Sequence, residues 1–224
     1  MDTILPGKVA PEVRAVFSLL AQKHTPTMLE QLSEYTPFQL LIATLLSART
    51  KDATTIPIVQ RLFRQYPAPL DFVKAEASNL EKALYGIGFY RVKSRHIQQL
   101  SAILLEKYKG VVPNTFEDLT SLPGVGRKTA NCMLSYAFRQ PAIAVDTHVH
   151  RISNRLGWIR TSSPEETEEA LKQMLPKALW SEVNRLLVSH GQNTCLPIRP
   201  RCSSCPLQQS CVYGKDVLRN KVYK

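Results

Sequence analysis

A glycine-rich turn that leads into a helix places the strongest constraint on how this chain folds. The turn runs from Leu122 to Gly126 (LPGVG), and its proline fixes one φ angle while its glycines allow positive φ or a close backbone approach. Apolar residues then recur at helical spacing from Arg127 to Phe138. We therefore predict a helix start at Gly124 to Lys128, where free N–H groups and the positive end of the helix dipole attract a phosphate.

Lys128 and Asp146 are the candidate reactive residues. Lys128 follows Arg127 in the first helical turn, where the adjacent cation and the dipole both disfavour its ammonium form, and a neutral amine is a nucleophile. Asp146 is predicted to cap the next helix. The helix after Lys128 rises about 16 Å, and the extended residues 139–145 can return by up to about 23 Å, so the two side chains can face one cleft. The simpler alternatives are a phosphate-binding lysine and an ordinary helix cap.

The charge and the apolar pattern narrow the class of partner. The net charge of +11, from 29 basic and 18 acidic residues, favours an anionic partner such as nucleic acid, although a generally basic surface remains the alternative. No apolar run reaches the roughly 18 residues that a membrane span needs, and the first residues do not resemble a secretory signal. We expect a monomer that is cytoplasmic or nucleoid-associated and has no membrane partner.

The rest of the chain indicates an all-α fold, since capped helical segments alternate with short loops and no strand alternation is convincing. Three capping boxes are expected, at Thr36–Gln39, Ser78–Glu81 and Ser163–Glu166. The segment from Thr25 to Tyr35 is interpreted as a connection. The main predicted helices are 11–22, 38–47 (fully buried), 54–66, 91–108 and 181–190.

Four of the five cysteines form a cluster with the spacing C-x6-C-x2-C-x5-C, namely Cys195, Cys202, Cys205 and Cys211. A metal site is more plausible than disulfides in a cytosolic chain. The uneven spacing favours iron–sulfur ligation over zinc and over no metal, without excluding either. Between the first two cysteines, Arg199 and Arg201 form a basic loop suited to a phosphate contact. Cys132 stands alone and is expected to be a buried apolar residue.

The sequences LPGVGRKTA and VDTH resemble the helix-hairpin-helix and Gly/Pro…Asp signature of DNA glycosylases. The resemblance extends from about Thr36 to Cys211 and is closest to the endonuclease III family. It implies two helical lobes flanking a DNA-binding cleft: a barrel lobe at 30–140, with the helix-hairpin-helix at about 115–138, and a lobe formed by 1–29 and 141–224. It also implies that the four cysteines in the loop 195–211 hold a [4Fe–4S] cluster.

The same resemblance implies roles for individual residues. Lys128 would be the Schiff-base nucleophile, Asp146 its carboxylate partner, and His148 a supporting residue. Two loops would face the lesion strand; they carry Arg49 and Phe89 where relatives commonly have glutamine and leucine. The residues expected to contact DNA are Leu122, Gly124, Val125, Gly126, Arg127, Arg49, Phe89, Arg199 and Arg201.

The resulting hypothesis is a bifunctional glycosylase with abasic-site lyase activity in base excision repair. It would act on double-stranded DNA, remove oxidised or damaged pyrimidines such as thymine glycol, and cleave 3′ to the abasic site by β-elimination. A monofunctional uracil or thymine mismatch glycosylase is the first alternative, and the lysine at position 128 argues against it. A non-catalytic iron–sulfur DNA-binding protein is the second.

Overall fold

A computed structural model describes residues 9–222, and all regular elements in that range are helices, which confirms the predicted all-α class. A π-helical segment, Met133–Ala137, continues α9, and 3₁₀ turns occur at Lys177–Leu179 and Cys202–Ser204. The α-helices are α1 Val9–Gln22, α2 Met28–Gln31, α3 Pro37–Ser47, α4 Asp52–Gln65, α5 Pro69–Lys74, α6 Ala77–Ala83, α7 Tyr90–Tyr108, α8 Phe116–Thr120, α9 Arg127–Cys132, α10 Thr147–Leu156, α11 Pro164–Met174, α12 Trp180–Asn193 and α13 Val212–Val222.

The chain separates into two compact units. The continuous unit is Met28–Gln140, and the split unit combines Met1–Thr27 with Pro141–Lys224. Lys128 therefore belongs to the continuous unit, whereas Asp146 and the four clustered cysteines belong to the split unit. No helix in the described part of the chain is both long and apolar enough to cross a membrane.

Helix α3 is the centre of the continuous unit. Its capping box is confirmed, because the Gln39 N–H donates to Thr36 Oγ1 (3.3 Å) and the Thr36 N–H donates to Gln39 Oε1 (3.2 Å). Pro37 occupies the first helical position, and eight of the eleven residues are buried, as predicted. The buried surface of α3 packs against α4, α7, α9 and the π-helical segment. The helix that carries Lys128 is thus fixed to the core of its unit.

The split unit has a separate apolar core. Residues of α1 such as Val13 and Phe17 pack with residues of α10, α11 and α12 in one buried cluster. Thr25 Oγ1 and Ser189 Oγ, 3.0 Å apart, share a hydrogen bond that joins the end of the first segment to α12. Helix α10, which begins next to Asp146, also contacts α13, so it lies inside this packing.

Two of the predicted caps are wrong in whole or in part. Helix α6 begins at Ala77 without a side-chain cap, so Ser78 lies inside the helix. The side chain of Gln98 donates to the carbonyl of Ala75 (2.9 Å), and this tertiary contact fixes the chain before α6. At α11, Ser163 accepts from the Glu166 N–H as predicted, but the Glu166 carboxylate also accepts from the N–H of Ser162 (2.8 Å), one residue before the cap. The predicted connection 25–35 also contains the short helix α2.

Candidate functional site

The hairpin between α8 and α9 presents backbone N–H groups at the surface. The N–H of Val125 donates to the carbonyl of Leu122 (3.1 Å), and both side chains are buried. These two side chains therefore anchor the turn, and any DNA contact at these positions must use the backbone. Gly124 and Gly126 are exposed, and their N–H groups have no hydrogen-bond partner among the described residues.

The two hairpin glycines are required for different reasons. Gly124 has φ +78°, and a Cβ there would lie 2.8 Å from Nδ1 of His96 and 3.1 Å from Cδ1 of Leu45. Gly126 has φ −95°, and a Cβ there would meet nothing within 4 Å. The fold therefore demands glycine at position 124, whereas at position 126 the protein leaves open space in front of α9.

Helix α9 begins at Arg127, so Lys128 lies in its first turn as predicted. The cap residue Gly126 supplies no side-chain hydrogen bond to this turn. Lys128 is half-buried, while Arg127 is exposed and its guanidinium carbon lies 5.1 Å from the centroid of the Phe116 ring. This cation–π contact directs Arg127 towards α8, on the hairpin side of the helix.

Asp146 is the N-cap of α10, which confirms that part of the prediction. Its Oδ1 accepts from the N–H groups of His148 and Val149, both at 2.9 Å. Its second oxygen, Oδ2, has no hydrogen-bond partner within the described residues. The carboxylate is therefore held in one orientation by the helix, with one oxygen left for another group.

His148 packs between α10 and α12. Its Nδ1 lies 3.0 Å from Nη2 of Arg151, so Nδ1 accepts and the ring proton is on Nε2. A side chain at Gly191 would overlap the His148 ring, which shows how closely the two helices approach here. Arg151 also donates to the carbonyl of Cys195 (2.8 Å). His148 thus orients an arginine that fixes the start of the cysteine loop.

The structure brings the four clustered cysteines together around one cavity, which is also lined by Arg155, His190 and Tyr213. The Gly214 N–H donates to Cys211 Sγ (3.3 Å) and Arg155 Nη1 donates to Cys195 Sγ (3.4 Å). Burial raises the pKa of the Cys205 and Cys211 thiols, and the neighbouring sulfurs raise both further. Burial lowers the pKa of His190 to about 4, so that its ring is neutral.

The cysteine sulfurs are spaced around the lining of this cavity. In residues 9–222, no three Cys, His, Asp or Glu side chains are close enough to share one metal ion. The four sulfurs nevertheless surround a common space, and N–H donors point at two of them. Sulfur ligands placed around a larger centre and hydrogen-bonded from outside are typical of iron–sulfur sites.

The basic loop within the cysteine cluster is held from α10. Arg155 donates to the carbonyls of Leu196 (2.7 Å) and Pro197 (2.9 Å), and its guanidinium stacks on Tyr213 at 4.5 Å. Arg199 and Arg201 follow this support; both are exposed, and Arg199 has φ +52°. Arg151 and Arg155 were not predicted from the sequence, although their spacing of four residues places both on one face of α10.

The loops that carry Arg49 and Phe89 lie next to each other in the continuous unit. The Gly88 N–H donates to Thr50 Oγ1 (2.9 Å), and a Cβ at Gly88 would lie only 2.7 Å from the Arg49 carbonyl oxygen. Both tips have positive φ, +55° at Arg49 and +59° at Phe89. Phe89 is 65% exposed, which rules out core packing as its role.

Lys93 is a further residue that was not predicted from the sequence. It is only 7% exposed, and its Nζ donates to the carbonyls of Leu46 (2.9 Å) and Ala48 (2.5 Å). Burial lowers the pKa of Lys93 to about 8. The available signal was its spacing, since Lys93 occupies the buried stripe of α7 together with Ile97, Leu100 and Leu104.

A short helix, a glycine hairpin and a second helix with a basic first turn define this chain as an all-helical helix-hairpin-helix protein. Residues 42–177 match the family profile described as "HhH-GPD superfamily base excision DNA repair protein". Endonuclease III of Thermotoga maritima is 48% identical over 192 residues, which cover 84% of this chain and 90% of that protein. Endonuclease III of Bacillus subtilis is 43% identical over 180 residues, covering 80% and 82%.

Solved structures agree with these sequence matches. A structure titled "Structure of a non-covalent Endonuclease III-DNA Complex" has a TM-score of 0.86 and 41% identity, covering 93% of this chain and 98% of that one. A trapped endonuclease III–DNA covalent intermediate has a TM-score of 0.84 and 40% identity, with the same coverage. The chain therefore belongs to the HhH-GPD superfamily of base excision DNA repair proteins and, within it, to the endonuclease III family. It is a DNA glycosylase and abasic-site lyase.

Proposed function

We propose that this enzyme removes oxidised or damaged pyrimidines from double-stranded DNA through a Schiff base on Lys128, and then cleaves the strand 3′ to the abasic site. The observation that carries the proposal is the position of Lys128 in the first turn of α9, directly after the exposed Gly126. This turn lies beside the two free N–H groups of the hairpin. The solved relative titled as a covalent endonuclease III–DNA intermediate supports covalent chemistry for the same fold.

In the proposed reaction the damaged nucleotide is first turned out of the duplex, since its C1′ atom is otherwise out of reach. Lys128 Nζ, as a neutral amine, forms a bond to C1′ while the glycosidic bond breaks and the base leaves with its electron pair. Loss of the amine proton and ring opening give the Schiff base. Removal of a C2′ proton then expels the 3′ phosphate by β-elimination, which cleaves the strand.

Asp146 is proposed to stabilise the positive charge that develops at C1′ and to hold Lys128 ready for attack. Its fixed carboxylate, with Oδ1 committed to the helix cap and Oδ2 available, suits a preorganised negative charge. Because the cap uses only Oδ1 as an acceptor, Oδ2 is left for the catalytic role and the two roles are compatible. His148 is proposed to support this helix start through its contact with Arg151.

Backbone contacts are proposed to supply most of the DNA affinity. The N–H groups of Gly124 and Gly126 are suited to a phosphate beside the lesion, and Arg127 adds a charge at the same place. Arg199 and Arg201 are proposed to contact a second phosphate from the cysteine loop. The net charge of +11 supports duplex DNA as the partner, and we expect the enzyme to act there as a monomer.

A [4Fe–4S] cluster is proposed to be held by Cys195, Cys202, Cys205 and Cys211. The four thiols line one cavity, and burial raises the pKa of two of them, Cys205 and Cys211, so coordination to iron must displace the protons of these two. The cluster, when bound, supplies four metal–sulfur bonds that cross-link the loop 195–211. Arg155 and the Gly214 N–H stabilise thiolate charge on two of these sulfurs through hydrogen bonds.

Borohydride trapping tests the function directly. The substrate is a duplex with a single thymine glycol, and the matched variants are Lys128→Gln and Arg127→Gln. We expect a covalent adduct with the wild type and with Arg127→Gln, but none with Lys128→Gln, because only Lys128 forms the imine that borohydride reduces. Binding of Lys128→Gln to the same duplex should remain nearly unchanged.

Other results would change the assignment. Release of the free base without an adduct would indicate a monofunctional glycosylase in which Lys128 only binds phosphate. An adduct formed only with an abasic-site duplex would keep the lyase chemistry and reject thymine glycol. Absence of both products on both duplexes would favour a non-catalytic DNA-binding protein.

A further inference from the structure

Lys93 connects the two loops that carry Arg49 and Phe89 through hydrogen bonds. The Nζ atom of Lys93 reaches the carbonyls of Leu46 and Ala48, at the carboxyl end of α3. Carbonyls in the last turn of a helix have no partner within the helix, and a cation is favoured there by the dipole. Lys93 lies one turn into α7, and its N–H donates to the carbonyl of Phe89 (3.0 Å). Lys93 thus contacts both the segment that precedes Arg49 and the segment that follows Gly88.

The tips of these segments are also joined. We call residues 48–51 and 86–89 the paired loops. The hydrogen bond from the Gly88 N–H to Thr50 Oγ1 links them, and the close approach of Gly88 to the Arg49 carbonyl leaves no space for a side chain at position 88. Lys93, which follows the second loop in α7, adds two hydrogen bonds, one to Ala48 in the first loop and one to Leu46 just before it.

The backbone at both tips is strained, and a surrounding structure must hold it there. Arg49 and Phe89 are non-glycine residues with φ near +55° to +59°. Such conformations cost about 1 kcal/mol or more each and persist only where neighbouring contacts fix them. The exposed side chains gain nothing from the core, so the contacts that fix the tips are those of the paired loops.

We propose that Lys93 is a positioning residue that makes the paired loops one preformed body, so that Arg49 and Phe89 engage the lesion site together. An aromatic side chain suits the gap or the orphaned base left by an extruded nucleotide, and the guanidinium suits a base edge or a phosphate beside it. This inference rests on the proposed function. Lys93 itself is excluded as a second nucleophile, because it is 7% exposed and its amine is bound to two carbonyls.

A double-mutant cycle tests whether the loops act as one body. The singles Arg49→Ala and Phe89→Ala and their double are titrated with a duplex that carries a tetrahydrofuran abasic-site analogue, which the enzyme can bind but cannot cleave. With Lys93 present, we expect the double variant to lose less affinity than the product of the single losses, by about fivefold. In a Lys93→Met background the losses should multiply, since each tip is then placed independently.

A matched control separates this role from a loss of stability. Leu104→Ala removes a fully buried side chain from the same helix, three turns further along, and should preserve the coupling of the two tips. Amide hydrogen exchange on the DNA-free protein adds a second readout: residues 48–51 and 86–89 should exchange faster in Lys93→Met and not in Leu104→Ala. If Lys93→Met does not fold, Lys93→Gln, which keeps one donor group, replaces it in both measurements.

The outcomes distinguish this inference from the proposed function. Coupling that survives in the Lys93 variants, or unchanged exchange of the paired loops, would overturn the role of Lys93 even if the enzyme cleaves DNA normally. Absence of borohydride trapping by the wild type would instead overturn the proposed function. Loss of coupling in the Lys93 variants but not in Leu104→Ala supports the inference.

Discussion

At the scale of single residues, Asp146 combines a structural and a chemical task that two substitutions can separate. Asparagine keeps the side-chain oxygen that caps α10 and removes the charge, whereas alanine removes both. We expect Asp146→Asn to change the free energy of unfolding by less than about 0.5 kcal/mol and Asp146→Ala to lower it by about 1 kcal/mol. Both should slow base excision by roughly a hundredfold or more, because the charge at C1′ loses its partner.

Single-turnover excision and urea unfolding of the three proteins measure these two effects side by side. A nearly normal excision rate in Asp146→Asn would show that Asp146 only caps α10 and has no catalytic role. Equal loss of stability in the two variants would contradict the capping geometry instead, since only alanine removes the acceptor of the two N–H groups.

The buried Lys93 predicts a distinctive dependence of stability on pH. Its pKa is about 8 in the folded protein, below the ordinary value of 10.5, because burial disfavours the charged form. Between these two values the unfolded chain binds the additional proton, so the contribution of Lys93 to stability rises with pH, by no more than about 1.4 kcal/mol per unit. Below pH 8 both states are protonated and the contribution is constant.

The test compares the free energy of unfolding of the wild type and Lys93→Met from pH 7 to pH 10. The difference between the two curves isolates Lys93 from other titrating groups. We expect the wild type to gain stability relative to the variant above pH 8. A difference that stays flat, or falls, across this range would contradict the lowered pKa of Lys93.

The local positions of Lys128 and Asp146, which sequence motifs determine, were predicted correctly, whereas residues whose contacts depend only on tertiary packing were missed. The turn before Lys128 and the cap at Asp146 follow from local residue types and are present in the structure. Lys93 was invisible, because its place in the apolar stripe of α7 indicates a buried position but not which carbonyls lie within reach. Arg155 was missed for the same reason: its partners are in a loop about forty residues away.

At the scale of elements, the hairpin between α8 and α9 is the part whose two glycines can be tested against each other. Gly124→Ala should lower the free energy of unfolding by more than about 1 kcal/mol, since φ is positive and the new methyl group overlaps His96. Gly126→Ala meets nothing in the protein and should leave stability within about 0.5 kcal/mol. Its methyl group would occupy the space proposed for a phosphate.

Thermal unfolding and DNA titration therefore distinguish the two variants, since Gly124→Ala should lose stability and Gly126→Ala should lose DNA affinity. We expect Gly126→Ala to be stable and to bind the abasic-analogue duplex roughly tenfold more weakly, since one charge-assisted hydrogen bond is lost. Unchanged binding by Gly126→Ala would show that no backbone of the DNA approaches this turn.

Elements were predicted well where local signals agreed with tertiary packing. Thr36, Pro37 and Gln39 together fix the start of α3, and its apolar surface fixes its burial. The serine at position 78 is an equally good local signal, yet the cap position is Glu76, two residues earlier and next to Ala75, whose carbonyl is bound by Gln98. The π-helical end of α9 has no sequence signal of this kind. Caps are therefore predictable only where no distant side chain competes.

At the scale of the whole molecule, both units contain an apolar core, but the cysteine loop of the split unit adds little to it. The continuous unit contains the buried helix α3 and a large share of the apolar core. In the segment from Cys195 to Cys211, Leu207 is the one buried apolar residue and the four cysteines are half-buried, so the loop has little core of its own. The fold class could be predicted from helical periodicity, whereas the contribution of a metal centre had to be inferred from cysteine spacing.

Replacing Cys202 with alanine tests this division. We expect Cys202→Ala to lose the absorbance at about 400 nm that an iron–sulfur cluster gives and to destabilise the split unit by several kcal/mol, because the loop is no longer cross-linked. Cys132→Ala is the matched control: Cys132 is buried in α9 and does not line the cluster cavity, so the absorbance should persist. Both proteins should be purified under the same conditions and their iron content measured.

Hydrogen exchange then locates the loss of stability. In Cys202→Ala the amides of α10 and α13 should exchange faster, since Arg155 and Gly214 contact the cysteine loop from these helices, while those of α3 and α7 should keep their protection. An iron-free wild type with normal protection throughout would show that packing alone stabilises the split unit. Retention of the absorbance in Cys202→Ala would contradict the proposed ligand set, because three cysteines would then be sufficient to hold the cluster.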